Sequence, residues 1–416
     1  MKFPVEEPKV ATEKDIVDGV MSGDIFGIIK CDIEVPPSLI SYFSDFPPIF
    51  KNTKIDLEDI GEHMLEYARS IGRTSGVKKS LISSMFGRGI IILTPLFKKY
   101  IEMGLVVTSV EWVLEYYSKP VFRWFANEVS DDRRLADMDP DMAILGETSK
   151  CTANSSYGKC CIDKGKHNNI IFCSAEYVAR HIRDPFFKSL DELEGGIYEV
   201  VKKKRRVVLD TPIQIAIAVY SYAKLSLLEF WEFLEKYLDP KSYCLMECDT
   251  DSLYIAISRD TLDDCVKDEL KDDWKIRKYD FLASDSLESV EFNGRFITKK
   301  AYEKRTPGKY KLEFKGIGMA CLNSKVYHIW SDQKGKDGEL MFKTSTKGMQ
   351  KTNMLGREEF LSVLSKPKSE QRVLNSGFVI EDNITKTYTQ RKKGLNYFYC
   401  KREVLSDGIS TTHLDI

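Results

Sequence analysis

Two carboxylates separated by one residue, Asp249 and Asp251 in Cys248-Asp249-Thr250-Asp251-Ser252, are the sharpest chemical signal in this chain. Apolar runs flank them, Tyr243 to Met246 before and Leu253 to Ile257 after, so the pattern predicts a tight turn between two strands. A turn fixed by buried strands can offer oxygen ligands to Mg²⁺ while substrate phosphates complete the shell. Two such ions, about 3.5–4 Å apart, activate an attacking oxygen and stabilise a leaving one in phosphoryl transfer. Standing alone, a DxD turn is more often an Asx cap hydrogen-bonded to its own backbone.

A second constellation lies in the stretch KCTANSSYGK from Lys150 to Lys159. Lys150, Asn154 and Tyr157 recur at helical offsets, which puts a cation, an amide and an aromatic ring on one face. Such a stripe suits a nucleotide, with Lys150 on the triphosphate, Tyr157 near sugar and base, and Gly158 leaving room for close approach. Taken alone it would be a solvent-facing helix with its tyrosine half buried.

Elements that could hold these residues follow from periodicity and punctuation. Residues 25–35 read as a strand, broken by Pro36, Pro37, Pro47 and Pro48. Residues 57–71 and 95–104 have helical spacing, the second opened by Thr94 as N-cap with Pro95 and closed by Gly104. Residues 105–117 look like a strand. Residues 128–165 suggest a helical hairpin whose second helix runs from about Pro140 through the Lys150 stripe. The run KKKRR at Lys202 to Arg206 reads as a solvated strand end or turn, with DNA contact or a nuclear import signal as the other readings. A long helix over 212–238 is apolar on most sides in its first half and hence buried. After Thr298 short strands alternate with Lys/Gly-rich turns, with one helix near 358–364. No internal repeat or low-complexity tract is evident.

The paired motifs resemble those of a known family. KCTANSSYG followed later by CDTDSLY is similar to motifs B and C of family B DNA polymerases, in their usual order. The stretch PIQIAIAVYSYAKLSLLEF, the phrase RTPGKYKLEFKGIGMACLNSKVYHIW and the ending TYTQRKKGLNYFYCKREVLSDGIST resemble the protein-primed polymerases of Polinton/Maverick elements and their viral relatives, so the likeness runs through nearly the whole chain. The resemblance implies an α+β right-hand fold: a palm and post-motif-A insertion over 1–125, fingers with motif B over 126–165, a second insertion over 166–210, palm with motif C over 211–350, and thumb over 351–416. An antiparallel palm sheet would carry Asp249 and Asp251 as catalytic residues and ligands of two Mg²⁺, with Asp251 bridging the ions more directly. Lys150, Asn154, Tyr157 and Gly158 would bind the dNTP. A KxY motif holds the primer in that family, and position and the NSKVY context assign it to Lys325 and Tyr327, followed by Lys347-Gly348. Thr250 and Ser252 join the DNA-binding set. The same KxY pattern at Lys98/Tyr100, Lys300/Tyr302 and Lys386/Tyr388 lacks that context. Implied partners are a primer-template, dNTP and a terminal priming protein.

One departure stands out. Motif A, DxxSLYP, supplies a metal-binding aspartate in the family, and no separate copy occurs; Asp249 to Tyr254 fits DxxSLY but follows motif B and leads into Ile255. The sequence is therefore expected to begin downstream of motif A and of any exonuclease, with one metal ligand missing. Asp32-Ile33-Glu34 mimics an exonuclease DxE, but the resemblance places GIIKCDIEVPPSL in the insertion after motif A, where these carboxylates are structural. Arg133 and Arg134, one helix before motif B, are further candidates for the triphosphate, with a solvated helix cap as the equal alternative. The resulting function is template-directed transfer of dNMP to a primer 3′-hydroxyl; a non-catalytic DNA- or priming-protein-binding remnant is the other reading.

Bulk properties leave this open. Lys+Arg 62 against Asp+Glu 63 means any nucleic-acid surface must come from local segregation of charge. Ten cysteines without a CxxC pair, and histidines not spaced near them, argue against a zinc site. The first residues lack an apolar signal region and no long uncharged apolar run follows, so a soluble intracellular protein, nuclear or at a viral replication site, with reduced thiols and no membrane span is expected.

Overall fold

The computed structural model describes the chain except residues 12–15, 194, 195, 336, 351, 352, 354, 367–370, 382 and 383, together with the backbone alone at 78, 379–381, 384, 386 and 388. Helices and strands occur in similar measure, an α+β fold whose ladders are antiparallel.

The first unit is built from β1 (Phe3–Val10), α1 (Ile16–Ser22), β2 (Gly27–Glu34), β3 (Ile49–Ile55), α2 (Glu62–Ser70), β4 (Val77–Ser84), β5 (Phe86–Leu93), α3 (Thr94–Glu102) and β6 (Val106–Lys119). Four strands form one sheet in the order β1-β6-β2-β5. On β2, Ile29, Cys31 and Ile33 are buried, the inward half of an alternating strand. At Gly27 an added Cβ would come 1.9 Å from the Leu114 carbonyl oxygen, so β2 can start beneath β6 only with glycine. Thr94, expected as an N-cap, is instead the first helical residue of α3, buried, with its hydroxyl accepting the Gly27 N–H at 3.1 Å.

Next come α4 (Arg123–Met138) and α5 (Ala143–Cys160), the expected helical hairpin. Gly146 lets α5 lie against Ala136, where a Cβ would approach to 2.5 Å. A separate module follows: β7 (Asn168–Ser174), α6 (Ala175–Ile182), β8 (Phe187–Leu193) and β9 (Ile197–Lys203), with sheet order β7-β9-β8.

The 25-residue α7 (Ile213–Tyr237) is the spine of the molecule. By length and composition it could cross a membrane. Here Leu227, Leu228, Phe230, Trp231 and Leu234 are buried in the largest core, with Ile29 and Ile33 of β2 and Phe97 of α3. That core also receives Leu245, Cys248 and Leu253 of the next hairpin, β10 (Tyr243–Asp249) and β11 (Ser252–Ile257), and Trp274 of α8 (Lys271–Phe281).

The remaining elements are β12 (Ser289–Phe292), β13 (Arg295–Thr298), α9 (Lys299–Glu303), β14 (Gly318–Asn323), β15 (Val326–Lys334), β16 (Leu340–Thr346), α10 (Arg357–Ser365), β17 (Gln371–Glu381), β18 (Ile384–Leu395), β19 (Glu403–Val404) and β20 (Thr411–Thr412). A second core joins Ile55, Met64 and Ile82 to Leu322, Phe360, Leu395 and Tyr397, so parts of the first unit and the C-terminal strands share one interior.

Candidate active site

Asp249 ends β10 and Ser252 starts β11; the two residues face each other across the ladder, leaving Thr250 and Asp251 as the turn. The hairpin forms because its apolar strands bury Leu245, Cys248 and Leu253 against the α7 core. Burial pushes the Cys248 thiol up to about 12, so it stays protonated beside the turn. Thr250 has φ +51°, a left-handed conformation disfavoured for a branched residue. Its hydroxyl donates to Asp249 Oδ1 at 3.2 Å, and that of Ser252 to Asp251 Oδ1 at 3.4 Å. Where an antiparallel palm sheet was expected to carry the aspartates, among the described residues β10 and β11 form a two-stranded sheet of their own, packed against the α7 core.

The KVY residues come to this turn from far along the chain. The turn between β14 and β15, Asn323 to Val326, sets Lys325 Nζ 3.2 Å from Asp249 Oδ1. Tyr327 is buried, its hydroxyl 2.7 Å from that of Tyr254 on β11, with the rings 4.8 Å apart. Val326 pairs with Thr346, so Lys347 and Gly348, the next two residues, adjoin the Lys325 turn. Gly348 has φ +87°, as a turn glycine should. Lys401, unassigned by sequence, belongs here too. Burial, and next the positive charge of Lys347, lower its pKa, while Asp249 and Glu247 act in the opposite sense.

The rival KxY pairs have other work. Tyr100 is buried and donates to the Pro48 carbonyl, and Lys98 donates to that of Met21. Tyr302 serves Arg134, as described below; the side chains of Lys386 and Tyr388 lie outside the described residues.

On α5, Lys150 and Asn154 are exposed and Tyr157 is partly so, its ring edge-on to Tyr220 of α7 at 6.3 Å. Among the described residues the ion-pair partner of Lys150 is Glu147, at 3.6 Å. A Cβ at Gly158 would meet nothing within 4 Å. Packing therefore gives no reason for a helix glycine that costs about 1 kcal/mol, and an approaching ligand would. Among the described residues no hydrogen bond or ion pair ties α5 to the Asp249 turn.

Arg134 is not a triphosphate candidate. It is buried, donating to the Tyr302 carbonyl, Asp131 and the Thr306 hydroxyl at 3.0, 2.6 and 3.0 Å, with its guanidinium 3.9 Å above the Tyr302 ring. It bolts the α4–α5 hairpin to the segment around α9. The KKKRR run is only partly solvated: Lys202 is buried and pairs with Asp184 at 2.9 Å, joined by Arg205 at 3.0 Å.

Metal fit can be judged from the donors. Mg²⁺ takes one or two carboxylates and fills its shell with water and phosphate. Asp249 and Asp251 therefore fit one ion carrying a triphosphate. A second ion needs a further carboxylate, and among the described residues no group of three metal-capable side chains converges. Asp32 and Glu34 are committed elsewhere, to the Gly89 N–H and to Arg88, both at 2.6 Å.

No family model matches the chain, and no curated protein matches its sequence. Among solved structures it is similar to Phi29 DNA polymerase complexed with primer-template DNA in a post-translocation binary complex, at a TM-score of 0.48 and 13% identity. The match covers 94% of this chain and 54% of that one, so the chain spans about half that polymerase's length.

Proposed function

We propose that this chain carries the nucleotidyl-transfer half of a protein-primed DNA polymerase, adding dNMP from a dNTP to a primer 3′-hydroxyl under a template. In that reaction the 3′-oxygen forms a bond to the α-phosphorus, the α–β phosphoanhydride breaks and pyrophosphate leaves. Asp249 and Asp251 would hold Mg²⁺, which when bound neutralises triphosphate charge. Lys325 and Tyr327 would hold the primer end through phosphate and sugar without reading sequence, aided by Lys347 and the hydroxyls of Thr250 and Ser252. Lys150, Asn154 and Tyr157 would receive the triphosphate, sugar and base, with Gly158 keeping the approach open. A terminal priming protein would supply the first hydroxyl.

One observation supports this reading above the others: Lys325 and Asp249, assigned separately to primer and metal, stand 3.2 Å apart although they come from different hairpins. A cation there can engage the last primer phosphate next to the carboxylates that organise the incoming one.

The test is single-nucleotide extension of a labelled primer-template by the 416-residue chain with Mg²⁺, beside Asp251→Ala. Extension lost in the variant supports the proposal; equal extension by both overturns it. The pair of carboxylates, with no third converging on it among the described residues, favours a second reading, a DNA- or priming-protein-binding remnant. Tight, metal-dependent binding of primer-template with no incorporation would select it.

A further inference from the structure

Glu247 lies two residues before the metal-binding turn, yet it points the other way. Leu245 and Cys248 both pack into the α7 core, although residues three apart on a regular strand face opposite sides. The ladder slips between Leu245 and Glu247, a bulge that leaves Met246 exposed and turns Glu247 towards the β14–β15 hairpin. There Glu247 is buried, 9% exposed as a residue, and both carboxylate oxygens are taken. Oε1 accepts the Lys325 backbone N–H at 2.8 Å, and Oε2 accepts the Cys321 thiol at 3.5 Å. Lys325 is in the left-handed region, φ +63°, which a lysine does not adopt without support. The Ser345 hydroxyl holds the same residue from the other side, donating to its carbonyl at 3.0 Å. In this conformation the lysine side chain reaches Asp249, its ammonium 3.2 Å from Oδ1.

We propose that Glu247 is a positioning residue: its carboxylate clamps the Lys325 backbone, fixes the left-handed turn, and so places the Lys325 ammonium at the catalytic turn for the 3′-end of the primer. The ligand consequence rests on the polymerase reading above; the clamp does not. Because both its oxygens are occupied by the β14–β15 hairpin, Glu247 is not a ligand for the metal.

Two measurements on the whole chain separate these parts. Hydrogen exchange at the Lys325 amide, without any ligand, reads the clamp. Glu247→Ala should speed it by roughly tenfold or more, the scale of a lost charge-assisted hydrogen bond, and Glu247→Gln, which keeps an acceptor, should restore most of the protection. Affinity for a labelled duplex with a recessed 3′-end, against the same duplex blunt-ended, reads the consequence without requiring catalysis. Preference for the recessed end should fall about tenfold in Lys325→Ala and in Glu247→Ala, no further in the double variant, and persist in Glu247→Gln. Unchanged exchange in Glu247→Ala overturns the clamp. Effects of Glu247→Ala and Lys325→Ala that multiply overturn the claim that Glu247 acts through Lys325, since a general structural role would add to any other loss. If the unmodified chain shows no preference for recessed ends, the primer role fails along with the polymerase reading, while exchange still decides the clamp.

Discussion

The aspartate turn and the Lys150 stripe are the two chemically equipped regions of the molecule, and they are built in opposite ways. Around Asp249 side chains from two hairpins are tied together: Lys325 to Asp249, Tyr327 to Tyr254, Glu247 to the Lys325 backbone. On α5 the functional face is open, with Lys150 and Asn154 in solvent and bare space over Gly158. The difference is one of preorganisation. Long-range contacts set the turn before any ligand arrives, whereas the stripe is a rigid rail whose partners must come from the ligand. Damage to the turn should therefore remove chemistry, damage to the rail should remove affinity, and damage to the rail's anchor should remove stability.

The largest break is Asp251→Ala. Single-nucleotide incorporation should fall by at least about 10³-fold, the scale of losing a metal ligand in phosphoryl transfer. Because Asp251 is exposed, its removal should leave the thermal midpoint within about a degree or two. A variant that keeps a tenth of the rate would remove the turn from the chemistry.

Next is Arg134→Ala at the root of the α4–α5 hairpin. Three hydrogen bonds from a buried guanidinium disappear, and the Tyr302 carbonyl keeps only the longer ones from the Arg305 N–H and the Thr306 hydroxyl, for a loss of about 2–3 kcal/mol in denaturant unfolding. Primer-end preference should survive in the folded fraction, since Arg134 touches nothing at the turn. Loss of that preference would mean the two regions are coupled after all.

Lys150→Ala comes third. The KM for dNTP should rise about tenfold, equivalent to about 1.4 kcal/mol, with stability unchanged because the ion pair to Glu147, at 3.6 Å, is exposed on both sides. A fall in turnover with unaltered KM would place the lysine on the reacting phosphate rather than on the bound one.

The helices α5 and α7 and the aspartate hairpin were legible because each is announced locally: a polar face at helical spacing, a long apolar run, two carboxylates between apolar strands. What escaped depends on partners far away in sequence. Glu247 in YCLMECD alternates as though it shared a face with Leu245 and Asp249, and only the bulge shows that it does not. Arg134 looks like a solvated member of DDRR until Tyr302 and Thr306 are brought under it. Lys202, inside an apparently solvated basic run, is buried because Asp184 meets it across the module. Lys401 has no motif at all and is recognisable only by the charges around it. Short helices such as α6, α8 and α9 were also missed, being one to three turns long with little periodic signal.

The smallest effect sharpens the comparison at the anchor's rim. Asp137 on α4 takes Arg305 in two hydrogen bonds, 2.8 and 2.6 Å, and Lys304 at 3.2 Å. The Arg305 guanidinium, with Lys304 assisting, holds its carboxyl below the usual range against the opposing pull of burial. A depressed carboxyl pKa adds stability that is complete above the unfolded value, about 3.9, and lost as pH falls through the folded one. Asp137→Asn should thus cost no more than about 1 kcal/mol at pH 7, because the pair is partly exposed and screened. That gap should hold down to about pH 4 and close below it, as the parent's own carboxyl becomes protonated. Denaturant unfolding of both chains at pH 7, 5 and 3 reads the difference directly. A gap as large at pH 3 as at pH 7 would show that shape rather than charge secures the hairpin, and the nucleotide affinity of the Lys150 rail should be the same in both chains throughout.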